Sequence, residues 1–303
     1  MLELLKKTNI DFIGKKYITL IVTGTLTIIG IIAIIQIAAG KANMGIDFAG
    51  GTEIQLKFER SVPLQNVRAA LEAGGIKGFE LQDIPAENRI MIKTKQSEGD
   101  LSKISESITA ALSKNLSGTK YVVDATTAIG PKVGSKLRND TVKAIIMATI
   151  GILIYVAVRF KFQFGVGATV ATFHDVLAVL GIFYLLGKEI NLIVVSGLLT
   201  IAGYSLTDTV VVFDRIRENL KTQFREPLPS VINTSINEVL SRTIITSLTV
   251  FLAAAALFFL GGEVIHDFAF AMLMGIIVGT YSSIFVASPI LLLWKKNRPF
   301  DKK

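Results

Sequence analysis

The sequence predicts a membrane protein of the all-α class, a bundle of six transmembrane helices, with one extracytoplasmic α+β domain of ferredoxin-like βαββαβ order. Three observations predict it. Charged residues make up 18% of the 303 positions and apolar residues 51%, where an average soluble domain carries about 25% charged residues. The apolar residues gather into six runs, each near the ~20 residues that cross a bilayer as a helix. Lys and Arg crowd every second connection between those runs, as the positive-inside rule expects of alternating sides.

The runs are 17–39, 140–158, 165–187, 191–213, 240–260 and 268–294. No water reaches backbone groups in hydrocarbon, so each run must be helical. The first follows Lys6, Lys7, Lys15 and Lys16 and stays uncharged from Tyr17 to Gly40. That is longer than the 7–15 residues of a secretory signal core, so it reads as an uncleaved anchor. Basic residues mark 1–16, the connection at Arg159 and Lys161, the connection bearing Arg215, Arg217, Lys221 and Arg225, and the tail 295–303. The connection after the third run holds Lys188, and Gly261 to Asp267 holds no Lys or Arg. Both termini are therefore expected in the cytoplasm of a cell-membrane protein, with 40–139 outside. Residues 214–239 read as a cytoplasmic amphipathic segment broken near Pro227 and Pro229.

The external region has its own pattern. Ile54, Leu56 and Phe58 alternate as on a strand over 52–58. Pro63 opens a helix with Leu64, Val67 and Leu71 on one face, closed by Gly74-Gly75. Phe79 to Ile84 and Ile90 to Thr94 read as a hairpin around the turn Pro85 to Asn88. Leu101, Ile104, Ile108 and Leu112 mark a second helix ending near Ser117-Gly118, and Tyr121 to Ala125 a last strand. This is the split βαβ order.

Several function classes are excluded. With no cysteine there are no disulfides and no thiol chemistry. Two distant histidines, His174 and His266, suggest no metal site. No nucleotide-binding or hydrolase motif is present, so no cofactor and no enzymatic activity are expected. The net charge of +8 sits beside the apolar runs and reads as topology signal, not a nucleic-acid patch.

Ionisable groups inside the runs carry the functional expectation, because each costs at least ~2.5 kcal/mol at a helix centre. Asp208 lies in the fourth run, where Ser205, Thr207 and Thr209 are in reach to hydrogen-bond it. Read otherwise, it is a helix-end carboxylate at the headgroups. Arg242 reads either as a positive-inside residue at a helix start or, if its helix begins near Val231, as a partner for a carboxylate inside the bundle. His174-Asp175 lies mid-way along the third run. Neighbours on a helix point about 100° apart, so the two are expected to face different helices, as a polar relay or as an interhelical hydrogen bond. Gly275 and Gly279 in the sixth run, and Gly167 and Ala171 in the third, permit close helix contact within the chain or with a partner.

Directly after the first run stands Gly45-Ile46-Asp47-Phe48-Ala49-Gly50-Gly51-Thr52, which resembles the GIDFTGGT signature of the SecF family, with Ala49 in place of threonine. His174-Asp175-Val176 resembles the family's HDV element, Ser205 to Asn219 (SLTDTVVVFDRIREN) its fourth-span motif, and Ser241-Arg242-Thr243 its SRT element. The resemblance implies a subunit of the resistance-nodulation-division superfamily that pairs with SecD. It also implies use of the proton motive force to promote preprotein translocation through the Sec channel. It implies proton conduction by Asp208 and Arg242, beside which His174, Asp175, Ser205, Thr207 and Thr209 read from their positions in the runs as a polar relay, and Gly45, Asp47, Gly50, Gly51 and Thr52 as a membrane-to-domain junction. Its rivals are half of a small-molecule exporter of the same superfamily and a membrane scaffold without proton flux.

Overall fold

The computed structural model describes residues 8–84, 88–94, 101–116 and 119–294. Lys6, Lys7, the turn at 85–87, Ser117-Gly118 and the basic tail 295–303 lie outside the described residues. The chain divides into two units, one of Met1–Asn43 with Ala144–Lys303 and one of Met44–Lys143.

Six helices are long and apolar enough to span a membrane. They are α1 (Lys16–Ala38), α5 (Pro131–Arg159), α6 (Phe162–Leu185), α7 (Leu192–Thr222), α8 (Leu228–Leu260) and α9 (Glu263–Ser282). α9 continues through a π-helical turn, Ser283–Ala287. All six predicted runs are thus helical, but their ends differ from the sequence reading. α5 begins at Pro131 and not at 140, because proline is well suited to a first helical position. α7 and α8 run through the segment 214–239, which is no separate element. Only Gln223 to Pro227 separates the two helices. Charge does not stop a helix; here the polar ends of α7 and α8 bond to each other. Arg215 Nε donates to Glu238 at 2.7 Å, and Asn219 Nδ2 donates to Glu238 at 2.6 Å and to Ser235 at 2.9 Å.

α6, α7 and α9 form the centre of the membrane unit. More than half of the most apolar stretch of each is buried, against 6% for α5. Glycine sets the spacing. A Cβ on Gly275 would fall 2.3 Å from Ile201, and one on Gly279 would fall 3.1 Å from Ser205. The predicted glycine pair of the sixth run is therefore spent within the chain, holding α9 on α7. Gly167 faces Phe213 and the carbonyl of Ala287 in the same way. At one end of this unit Phe160, Phe164 and Phe213 pack edge to face or tilted, with Phe12 beside Phe285. The segment before α1 is tied to α8 by two asparagines one turn apart. Asn237 Oδ1 accepts from the Ile10 amide, and Asn233 Oδ1 from that of Phe12.

In the other unit, a helical turn α2 (Ile46–Ala49) leads into β1 (Gly51–Phe58), α3 (Leu64–Ala73), β2 (Phe79–Ile84), β3 (Arg89–Thr94), α4 (Leu101–Asn115) and β4 (Tyr121–Ile129). The sheet is antiparallel in the order β2-β3-β1-β4. The alternating face of β1 is buried as read: Ile54, Leu56 and Phe58 pack with Val67, Leu71, Ile90, Ile92, Ile108 and Leu112. β4 continues beyond Ala125 to Ile129, with an irregularity in its pairing opposite Gln55 and Leu56. The turn α2 lies between Gly45 and Gly50, inside the octapeptide Gly45 to Thr52.

Candidate functional site

Asp208 is 6% exposed in the interior of the membrane unit. The local pattern places it there: Ser205, Asp208, Thr209 and Val212 recur at helical spacing and are all buried. Its hydrogen-bond partner among the described residues is Ser247 of α8, whose Oγ donates to Oδ2 at 3.2 Å. Thr280 of α9 donates to Ser247 Oγ at 2.8 Å. Three helices therefore meet at one carboxylate through a short chain of hydroxyls. A carboxylate offers about four acceptor sites. One hydrogen bond at 3.2 Å leaves most of these sites on Asp208 unused among the described residues.

A second buried carboxylate, Asp175 on α6, is built differently. It is 0% exposed. Nδ1 of His174 lies 3.0 Å from Oδ1, while Oδ2 accepts from Ser282 at 2.7 Å and from Ser205. His174 and Asp175 therefore bond to each other, where the helical angle predicted separate neighbours. The imidazole is long enough to swing across one residue step. His174 Nε2 is buried without a hydrogen-bond partner among the described residues. Its ring lies 6.4 Å from that of Tyr281, whose hydroxyl donates to the Thr19 carbonyl at 2.9 Å and so reaches α1.

The remaining expected residues distribute as follows. Ser205 serves Asp175, not Asp208, because the face of α7 that carries it meets α6 and α9. Thr207 is exposed and donates to the Tyr204 carbonyl at 2.7 Å. Thr209 is buried with its hydroxyl unpaired among the described residues. α8 begins at Leu228, early enough for Arg242 to lie within a helix. Yet Arg242 is exposed, and it forms no ion pair with Asp208 among the described residues. Five residues separate Arg242 from Ser247, about 140° around a helix, so the face that meets Asp208 is not the face that bears the arginine.

At the junction, Gly45 is the extended residue before α2, and Asp47 lies in its first turn. Gly50 has φ 77° and Gly51 φ 145°, a region that favours glycine. A Cβ on Gly51 would sit 2.3 Å from the Thr94 carbonyl oxygen. Thr52 is fully buried, and Ala49 is exposed.

Sequence reasoning missed Ser247, Thr280 and Ser282. A lone hydroxyl in an apolar run is common in membrane helices and signals little until a carboxylate is found opposite it.

Comparison with known proteins follows the same stretches. The family described as "Protein export membrane protein SecD/SecF, C-terminal" matches residues 108–297, and the "SecD/SecF GG Motif" matches 40–62, which contains the junction. The chain is 59% identical over 300 residues to the protein translocase subunit SecF of Thermodesulfovibrio yellowstonii, covering 98% of each. It is 44% identical over 301 residues to that of Calditerrivibrio nitroreducens, again covering 98% of each. Among solved structures it resembles SecDF of Thermus thermophilus, described as a translocon-associated membrane protein, with a TM-score of 0.81 and 38% identity. The match covers 96% of this chain and 39% of that one. A second SecDF structure, in a super-membrane-facing form, matches with a TM-score of 0.69 and 37% identity, over 97% of this chain and 40% of that one.

Proposed function

The chain belongs to the SecF family of protein translocase subunits, and from that premise we propose that it works with SecD, using the proton motive force to promote translocation and release of preproteins through the Sec channel. The observation that carries this reading is Asp208, a nearly buried carboxylate held by a single serine where α7, α8 and α9 meet. Such a group costs stability unless it has work to do.

In the proposed cycle Asp208 takes a proton from the external side. Loss of its charge weakens the hold on Ser247, and α8 shifts with its hydroxyl and with Arg242. Arg242 faces outward from the chain, so its carboxylate contact forms during that shift or with the partner subunit. His174, Asp175 and Ser205 serve as a polar relay beside this path, with Thr207 and Thr209 in supporting positions. The external domain, which we read as ferredoxin-like from its strand order, moves with the helices through the junction Gly45, Asp47, Gly50, Gly51 and Thr52. Each proton crossing yields about 2.3 kcal/mol per 100 mV, so a few protons per cycle suffice without ATP. We place the protein in the cytoplasmic membrane, both termini in the cytoplasm, with lipid, SecD, the Sec channel and preprotein as its contacts and no nucleic acid. We assign it no enzymatic activity and no cofactor.

The test is preprotein release from energised spheroplasts containing the SecD partner, comparing wild type with Asp208→Asn. The expected outcome is precursor accumulation at equal protein level and loss of the gradient-dependent part of export. Unchanged export with an intact complex would reduce Asp208 to a structural group.

A further inference from the structure

α5 is the least covered of the six spanning helices. Near its turn into α6 the two helices touch: Val156 is buried, and a Cβ on Gly165 would sit 3.4 Å from it. Around and beyond this contact they leave a groove in two parts. The part near the turn holds about 440 Å³ between Ala157, Phe160, Phe162 and Val166. The deeper part, about 100 Å³, reaches α7 at Val195, Leu198 and Ala202. Leu153 and Thr169 line both parts, so the groove is continuous. Its lining is almost wholly apolar, and the Thr172 hydroxyl is turned to the Ala168 carbonyl at 3.0 Å.

The groove ends at a basic cluster. Phe160 carries two guanidinium groups over its ring, Arg159 at 5.2 Å and Arg217 at 5.9 Å from the centroid. Both bond the one carboxylate of Asp214, at 3.0 Å and 3.5 Å. Lys161, next to Phe160, is exposed and forms no ion pair among the described residues. Glu218 and Glu238 are bonded to Arg215 instead. Arg159, Arg217 and Lys161 therefore face Asp214 with positive charge in excess. Guanidinium forks match phosphate oxygens, and anionic headgroups attract such clusters. From Phe160 back to Ile145 the groove runs about 22 Å at ~1.5 Å per residue, against ~15 Å for the hydrocarbon of one leaflet. A helix with its side chains is about 10 Å across. The deeper part has room for a hydrocarbon chain and not for a helix.

We propose that this groove binds an anionic phospholipid, with an acyl chain lying between α5, α6 and α7 and the phosphate held by Arg159, Lys161 and Arg217. The lipid supplies packing that α5 lacks within the chain and ties it to α7, the helix of Asp208. The proposal rests on the orientation given above, which sets the basic end in the cytoplasmic leaflet. It does not depend on proton coupling at Asp208.

Two measurements test it. Phosphatidylglycerol and phosphatidylcholine of identical chains are added to the delipidated full chain, and bound lipid is followed by native mass spectrometry. Phosphatidylglycerol is expected to bind more tightly. A basic residue near a lipid surface is worth about fivefold in affinity, so Lys161→Gln should weaken phosphatidylglycerol by about that factor. Leu153→Trp fills the groove with the charges in place and should release the lipid. Lys161→Gln, at an exposed position, keeps the test decisive if the tryptophan disturbs folding. Equal binding of both lipids, unchanged in Lys161→Gln, would make the groove ordinary lipid contact. Glycerol 3-phosphate binding as tightly as phosphatidylglycerol, with Leu153→Trp unaffected, would make the basic end an anion site without a chain. In the complex with SecD, a photoreactive residue at Leu153 should label lipid. Label on SecD in its place would mean that the partner fills the groove. Each of these three results overturns the lipid site, and none of them bears on the export test of Asp208→Asn.

Discussion

The two buried carboxylates of the membrane unit lie on adjacent helices and are opposites in construction. Asp175 has both oxygens occupied, by an imidazole and two serine hydroxyls drawn from α7 and α9. Asp208 has one serine at 3.2 Å. A carboxylate held by three groups welds the helices around it, since movement breaks several hydrogen bonds at once. A sparsely held one can change its protonation or its partner at small cost. The difference teaches that an ionisable residue within a span is not a functional residue by its burial alone. What its lone pairs are already doing decides.

The comparison can be broken or sharpened by substitution. The largest expected effect is Asp175→Ala, which leaves His174 and Ser205 without their acceptor and Ser282 with the Gly279 carbonyl alone. Each stranded buried donor costs about 1–3 kcal/mol, so this variant should melt well below wild type in detergent. The matching change Asp208→Ala strands one hydroxyl, and its melting point should fall far less. Equal losses for both would show that the weld and the loose site are the same kind of site. Gly275→Leu comes next. Its side chain must displace Ile201, and overpacking of this sort costs about 1–3 kcal/mol. Thermal melting of the purified chain checks it, and a neutral result would mean that α7 and α9 give way easily around Asp208. Ser247→Ala should be mildest, near 1 kcal/mol in stability, while weakening gradient-dependent export, because it frees Asp208 from α8. Export at wild-type level in Ser247→Ala would mean that this hydrogen bond transmits nothing.

Much of this was legible in the residues, for reasons particular to each element. The six runs were visible because a bilayer imposes a length and a composition together. The hydrophobic faces of β1 and α3 were visible because Ile54, Leu56 and Phe58, and Val67 and Leu71, repeat at the periods of strand and helix. The ends of α7 and α8 were not visible. Charges after Phe213 end the apolar run, and the helices continue past it because Arg215, Asn219 and Glu238 satisfy one another. Asp208, Asp175 and His174 stood out as costly groups in apolar runs. That Ser205 belongs to Asp175 depended on which helix faces which side of α7, and no one-dimensional spacing records that.

The sequence by itself determined the number of helices, the presence of a small sheet domain, the junction glycines and the ionisable residues worth asking about. Those are consequences of length, period and transfer cost, all local to a segment. Only the tertiary structure decided which hydroxyl meets which carboxylate, that Gly275 and Gly279 are used inside the chain, and that Arg242 faces away from Asp208. Hydrogen bonds reach about 3 Å and are directional, so the pairing of groups far apart in the chain is settled by how helices pack and rotate against one another.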